Sequence, residues 1–472
     1  MRGRSYYPLL GKLYAAVVLS IAVFLTVKAC LQFARWDWDY MAYHLPDVLR
    51  RVKLTTFDER PSKWIVNQTF PPLPHYVQGL LVRLAGRMSF ANSHNALALL
   101  LLTVAMHRMF RPVFSPVWFL TGCFSVPLIV THFTSGYIDL FTGSFITLAF
   151  ISLVYFEKRL DNGDPPAEAL RAALPWMAIG FCGGMLSKYH AWPILTFLYL
   201  FLMVWLFRVF RAGALSGREL SLTAFALAAF IAIWPVRNHI VFGNPVYPYR
   251  PPLFASSFQS YFQNGEGRPE DIPKYLRNST TWVRFLHSSL ELNRLVGALP
   301  FKWTVAQLHE PAWKNPHNRM GGWFYCTVLA FCAVLPYLAL RRYVPRRTML
   351  ALLLLVPITA ILPQSHELRY WLFLPLVACF YLGLGIRNVP GLTGSTIRTS
   401  FAFLAVLVLC AAGSWTIDTR DASSYASSPA RQFWRYASAV RMKEPLLLCG
   451  RYNGAIFWAG PTFNEFPVEN CE

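Results

Sequence analysis

Residues 8–33 read Pro8-Leu9-Leu10-Gly11-Lys12-Leu13-Tyr14-Ala15-Ala16-Val17-Val18-Leu19-Ser20-Ile21-Ala22-Val23-Phe24-Leu25-Thr26-Val27-Lys28-Ala29-Cys30-Leu31-Gln32-Phe33. After Ala34 the chain turns polar and aromatic, as Arg35-Trp36-Asp37-Trp38-Asp39-Tyr40-Met41-Ala42-Tyr43-His44-Leu45-Pro46. An apolar run of about twenty residues is the length that spans a bilayer. This one is longer than a signal-peptide core and is followed by no small-residue cleavage site, so it reads as a retained membrane anchor. Two carboxylates then stand where the chain leaves the lipid.

Further apolar blocks fall at 92–110, 113–132, 137–155, 172–187, 190–208, 220–241, 321–340, 348–363, 368–386 and 398–416. They predict an all-α polytopic membrane protein of about eleven transmembrane helices. Composition agrees: 55% of the 472 residues are hydrophobic and 14% charged, against roughly 45–50% and about 25% in soluble domains. A water-soluble globule and a disordered chain are both excluded. The net charge of +21 does not point to nucleic acid here, because much of it sorts by membrane side. Arg2, Arg4, Lys12, Arg108, Arg111, Arg208, Arg211, Arg218, Arg341, Arg342, Arg346, Arg347, Arg387 and Arg398 fall on one side of the predicted spans, which marks that side as cytoplasmic.

With the N-terminus cytoplasmic, the outer loops 34–91 and 242–320 and the tail from 417 lie outside the membrane. The expected organisation is a transmembrane domain over 1–416, with helices in its outer loops, and an extracytoplasmic tail or small cap over 417–472. In that tail, Pro445 to Gly450 and Ala455 to Gly460 read as short strands around the turn signal Asn453-Gly454, which suggests a small α/β cap. Cys449 and Cys471 are the cysteines in polar sequence and are open to bridging if that side is oxidising. The others suit an apolar core.

Charged groups gather at the predicted outer edge. Asp139 opens the fourth span within Tyr137-Ile138-Asp139, Lys188 lies between spans five and six, Arg237 ends span seven and Arg369 opens span ten. A carboxylate at that depth marks a cavity or a partner, with a helix N-terminal charge as the simpler alternative. Guanidinium and ammonium groups there suit a lipid phosphate; they also suit anchoring to headgroups. His44 stands either as a partner of the site or as a surface residue of the stretch from Met41 to Leu54.

The residues that carry a family likeness occur in order. They are Asp39-x-x-x-Tyr43-His44-Leu45-Pro46, Tyr137-Ile138-Asp139, Leu186-Ser187-Lys188-Tyr189, Trp234-Pro235-Val236-Arg237-Asn238 with Gly243-Asn244-Pro245-Val246-Tyr247-Pro248, and Glu367-Leu368-Arg369-Tyr370. In this set the chain resembles the membrane-embedded GT-C glycosyltransferases, which include aminoarabinose transferases and protein O-mannosyltransferases. The resemblance covers residues 8 to about 386 and implies inverting sugar transfer, on the outer face, from a polyprenyl-phosphate-linked donor.

It also implies Asp39, four residues before Tyr43, as the catalytic general base, with Asp139 orienting acceptor or base. Asp37, His44, Lys188, Arg237 and Arg369 are then the candidate substrate-binding residues. Tyr40 stands where the mannosyltransferase pattern has glutamate, which disfavours protein mannosylation. No cofactor is implied; a divalent metal at Asp37 and Asp39 is left open.

The implied partners are membrane lipids, the lipid-linked donor, and a glycolipid, polysaccharide or protein acceptor. The expected setting is a bacterial inner membrane and cell envelope. The sequons Asn67-Gln68-Thr69 and Asn278-Ser279-Thr280 would be glycosylation acceptors in an endoplasmic-reticulum protein. Rival readings are a lipid or solute transporter and an O-antigen-ligase-like enzyme with a lipid-diphosphate donor.

Overall fold

The computed structural model describes residues 7–31, 44, 47–48, 71–86, 88–247, 277–290, 345–362, 364–365, 367–388, 446–448 and 468–470. In chain order its helices are α1 (Tyr7–Leu31), α2 (Leu73–Ala85), α3 (His94–Phe110), α4 (Pro116–Ser125), α5 (Pro127–Phe133) and α6 (Asp139–Asp161). They continue with α7 (Pro166–Met185), α8 (Ala191–Arg211), α9 (Gly217–Phe242), α10 (Thr281–Leu290), α11 (Arg346–Ile361) and α12 (Phe373–Asn388). Two 3₁₀ turns, Met88–Ser93 and Leu368–Trp371, lead towards α3 and α12.

Among the described residues, five helical stretches are long and apolar enough to cross a membrane: Gly11–Leu31, Ser89–Phe110, Asp139–Asp161, Ala191–Arg211 and Gly217–Phe242. Their outward faces suit hydrocarbon rather than water. On α9, Phe225 is 77% and Ile240 76% exposed, with no polar side chain required there in lipid. The remaining expected spans differ in detail. Block 113–132 is two short helices, because Val126 precedes Pro127 and takes an extended backbone (φ −96°, ψ 107°), as a residue before proline tends to. Block 172–187 begins earlier, at Pro166, where proline suits a first helical turn. Block 368–386 opens with the second 3₁₀ turn. Blocks 321–340 and 398–416 lie outside the described residues.

Helix α6 is the centre of the bundle and is buried along nearly its whole length. Helix α7 lies against it through glycine. A Cβ at Gly180 would run into the backbone of Ala149, and one at Gly183 into the ring of Phe145. Gly184, four residues after Gly180, faces Leu195 of α8 in the same manner. Small residues at this spacing let two helix backbones approach closely, which in lipid replaces the missing hydrophobic drive between helices.

Successive long helices alternate in direction, so their ends form two polar layers. At one end the Glu157 carboxylate of α6 accepts the backbone N–H groups of Arg347 and Thr348, each at 2.8 Å. These are N–H groups that the first turn of α11 cannot satisfy internally. Ser216 and Glu219 cap α9 reciprocally at the same end. The opposite end collects Asp139, Lys188, His190 and the turn Leu368–Trp371.

In the tail, β1 (Leu446–Leu448) pairs in parallel with β2 (Val468–Asn470), Leu446 opposite Val468 and Leu448 opposite Asn470. The strand expected at Pro445 to Gly450 thus has its partner further along the chain than the expected hairpin. Ala455 to Gly460, Cys449 and Cys471 lie outside the described residues.

Gly180→Leu forces a side chain into the Ala149 backbone. It is expected to destabilise the fold by about 1–3 kcal/mol or more, read as a lower unfolding midpoint in detergent, whereas Gly11→Ala, inside α1 with open space at its Cβ, does not lower the midpoint.

Candidate functional site

The site is built around the first residue of α6. Asp139 is 1% exposed and accepts a hydrogen bond from Nζ of Lys188 at 2.5 Å. Lys188 belongs to the turn between α7 and α8. Its backbone is locked by Ser187, whose hydroxyl donates to the carbonyl of Gly183, and by Trp192, whose indole N–H donates to the carbonyl of Met185 at 2.9 Å. A buried carboxylate without a cation would be untenable at this depth, and Lys188 supplies that cation.

Tyr370 covers the pair. Lys188 Nζ stands 4.2 Å from its ring centre, and His190 stacks on the same ring with centroids 4.4 Å apart and planes at 26°. Arg369 lies between two rings, 5.1 Å from Tyr137 and 5.0 Å from Tyr370, while its Nη2 donates to the Tyr370 hydroxyl at 3.3 Å. Glu367 Oε2 is 3.6 Å from Nε of Arg369. Cations on aromatic faces keep favourable electrostatics where water is scarce.

The loop before Asp139 is held by two buried amides. Asn95, in the first turn of α3, donates to the carbonyls of His132 (2.7 Å), Ser135 (3.2 Å) and Tyr137 (2.8 Å). Its own carbonyl accepts the N–H of Phe141 at 2.9 Å. Gln78 of α2 donates to the carbonyl of Gly136 at 2.9 Å. Irregular backbone is tolerated beside a membrane only when its polar groups are satisfied within the protein, and these amides provide that here.

Three side-chain atoms remain for a ligand. Oδ2 of Asp139 and both ring nitrogens of the buried His132 have no hydrogen-bond partner among the described residues. Buried polar atoms are nearly always satisfied, so this end of α6 has capacity for a polar group that enters it.

The structure brings Asp139, Lys188 and Arg369 together. His44 joins them from the segment between α1 and α2, buried and within electrostatic reach of Lys188 and Arg369. Arg237 is held elsewhere: its Nη1 donates to Asn238 Oδ1 at 2.9 Å, and its guanidinium lies over Trp234 and Phe242. The surrounding motif builds a turn. Gly243 takes the left-handed conformation (φ 67°) that ends α9, Asn244 accepts the N–H of Val246, and Tyr247 stacks on Phe242. Asp37 and Asp39 lie outside the described residues. Among the described residues no cluster of three or more His, Cys, Asp or Glu side chains is arranged to hold a metal ion.

Sequence reasoning passed over Asn95, Gln78, Tyr137, Tyr370, His75, His132 and Asp47 as site residues. A signal did exist for Asn95, an amide at the head of the apolar block 92–110, where an uncompensated polar group is costly.

Burial, then the Lys188 charge, holds the His190 imidazole well below its ordinary range, although Asp139 pulls it upwards. Burial, followed by His75, Lys188 and Arg369, does the same to His44. The unfolded chain therefore takes up protons as pH falls through about 6.5 while the folded one does not, so stability falls with pH below that value. Unfolding midpoints between about pH 7.5 and 5.5 should fall for the wild type and fall less for His190→Gln. Lys188→Met leaves Asp139 a lone buried charge and is expected to cost about 3–5 kcal/mol; adding Asp139→Asn recovers most of it, measured by a double-mutant cycle on unfolding midpoints.

No family model matches the chain, and no curated protein matches it. Among solved structures it is similar to the archaeal oligosaccharyltransferase AglB from Archaeoglobus fulgidus, determined in complex with an inhibitory peptide and a dolichol-phosphate, at 17% identity and a TM-score of 0.46. The match covers 96% of this chain and 60% of that one, so the chain spans about three-fifths of that protein's length.

Proposed function

We propose that the chain is an integral-membrane inverting glycosyltransferase. It moves a sugar from a polyprenyl-phosphate-linked donor to an acceptor hydroxyl on the extracytoplasmic face, the acceptor being a glycolipid, polysaccharide or protein. The observation that carries this reading is the buried Asp139–Lys188 pair, grouped with Arg369 and first-loop His44 at one end of the helices. That end is where a lipid-linked phosphate would enter sideways from the outer leaflet. Transport through the bilayer would ask instead for polar sites near the middle of spans.

In this reading Asp39 takes the proton of the acceptor hydroxyl as its oxygen attacks the anomeric carbon, opposite the departing phosphate. Asp37 lies beside it in sequence as a further contact to substrate. Lys188 shares its charge with Asp139, so its part is to hold that carboxylate in place and add to the positive field. Arg369 is the better phosphate ligand, with a side chain 21% exposed against 7% for Lys188 and a planar fork matched to phosphate oxygens. Preorganised positive charge stabilises most where negative charge develops during the reaction. Arg237, braced against its own helix, contributes to the outer rim rather than to the reacting group.

The reading is tested in nanodiscs by following consumption of polyprenyl-phosphate-linked sugars with a membrane-lipid extract as acceptor. Wild type consumes donor; Asp39→Asn binds donor but does not consume it; Arg369→Lys loses about 10²- to 10³-fold in turnover. Failure of the wild type to bind or consume any such donor would sink the proposal in favour of transport or a diphosphate-donor ligase.

A further inference from the structure

The start of α6 holds more polar capacity than a phosphate uses. Asp139 gives one carboxylate oxygen to Lys188, and its Oδ2 has no hydrogen-bond partner among the described residues. His132, near the end of α5 and 3% exposed, has none for either ring nitrogen. The imidazole lies within electrostatic reach of the carboxylate, because Asn95 gathers the carbonyls of His132 and Tyr137 at 2.7 and 2.8 Å. On the other side of Asp139, Nε2 of His190 stands 3.9 Å from Oδ1, beyond hydrogen-bond distance, and it too has no partner among the described residues.

The chemistry of these atoms narrows what fits them. A carboxylate oxygen only accepts hydrogen bonds, so the group facing Oδ2 must bring a hydrogen, which a phosphodiester does not. An ammonium brings hydrogens, but Lys188 already answers the charge of Asp139, and Arg369 adds a second cation within reach. A third positive charge is repelled there. A neutral imidazole presents one donor and one acceptor. Hydroxyl groups match the whole set, since each both donates and accepts, and neighbouring hydroxyls on one ring can serve the carboxylate and the imidazole together. Tyr137 links this set to Arg369: its ring centre is 5.1 Å from the guanidinium and 5.2 Å from the His132 ring, which meets it edge-on. A ligand whose phosphate meets Arg369 therefore has its sugar ring beside His132 and Asp139.

We propose that Oδ2 of Asp139 and the imidazole of His132 form a recognition site for hydroxyl groups of the donor's sugar ring. This rests on the glycosyltransferase reading and divides the donor between two sets of residues, the phosphate going to Arg369 and the sugar to Asp139 and His132. Buried polar atoms without partners destabilise the unliganded fold. The same atoms make the site selective, because a ring that lacks the matching hydroxyl leaves them unsatisfied and the carrier lipid alone gains nothing from them.

The first readout needs no ligand. His132→Phe removes two unsatisfied polar atoms, so the unfolding midpoint in detergent should hold or rise, with His132→Leu as the control for ring size. A midpoint lowered in both and held in His132→Gln means that the imidazole is bonded within the protein, and overturns the site. The second readout is binding in nanodiscs of bare polyprenyl phosphate and of the same carrier loaded with glucose, galactose, mannose, N-acetylglucosamine or arabinose. Wild type should bind at least one loaded form more tightly than the bare carrier. His132→Phe, or His132→Leu if the larger ring prevents folding, should lose about 10- to 100-fold in affinity for that form and none for the bare carrier; His132→Gln should regain part. Equal losses on loaded and bare carrier, or no loss on either, overturn the proposal, as does a loss confined to a glycolipid acceptor. A wild type that binds bare carrier and prefers no loaded form overturns the sugar site alone. One that binds no carrier at all overturns the glycosyltransferase reading, and the sugar assignment with it.

Discussion

A carboxylate at the end of a membrane helix persists in its charged form only with a cation pressed against it, and the Asp139–Lys188 bond meets that condition. Much of the polar end of the bundle follows from it. The bond ties the start of α6, the buried central helix, to the turn between α7 and α8. The same pair sets where Tyr370 lies, since Lys188 and His190 both pack on its ring, and Tyr370 in turn carries Arg369. An isolated ion pair would be a poor source of stability against a hydrophobic replacement. Its presence here is better understood as fixing charge at a defined point next to side atoms that have room for a ligand.

The supporting layer obeys the same electrostatic rule with neutral groups. Loop backbone near lipid has no water to turn to, so its carbonyls must find donors in the protein. Asn95 serves three carbonyls between His132 and Tyr137, and Gln78 serves a fourth. These amides come from α3 and α2, which makes the position of Asp139 a property of helices well before it in the chain. At the opposite end of α6, Glu157 performs a parallel service for the exposed N–H groups of α11. The central helix is therefore pinned at both ends by carboxylates and released along its length to apolar packing, with glycines admitting α7 at close range.

Much of this layout is legible in the sequence where the signal is one-dimensional. Apolar run length marks α1, α3, α6, α8 and α9 as candidate spans, because helix rise and bilayer thickness are both fixed lengths. It reads less well where proline intervenes. Block 113–132 has the length and apolarity of a span, yet Pro127 divides it, since the residue before a proline avoids helical backbone. Of the charged residues singled out, Asp139, Lys188 and Arg369 lie together in the structure, whereas Arg237 ends a helix in a locally braced turn. Position along the chain treated these cations alike; what separates them is which aromatic and carboxylate neighbours the fold supplies.

By itself the sequence determined the class of environment, the approximate helices and the set of chemical groups able to act, because each of these depends on composition and local spacing. Only the tertiary structure decided that Lys188 answers Asp139, that Tyr370 covers both, and that Asn95 and Gln78 hold the loop before Asp139. Those relations join residues far apart in the chain. They depend on distances and orientations of a few tenths of an ångström and a few tens of degrees, and these are set by how whole helices pack rather than by any neighbouring residue in the sequence.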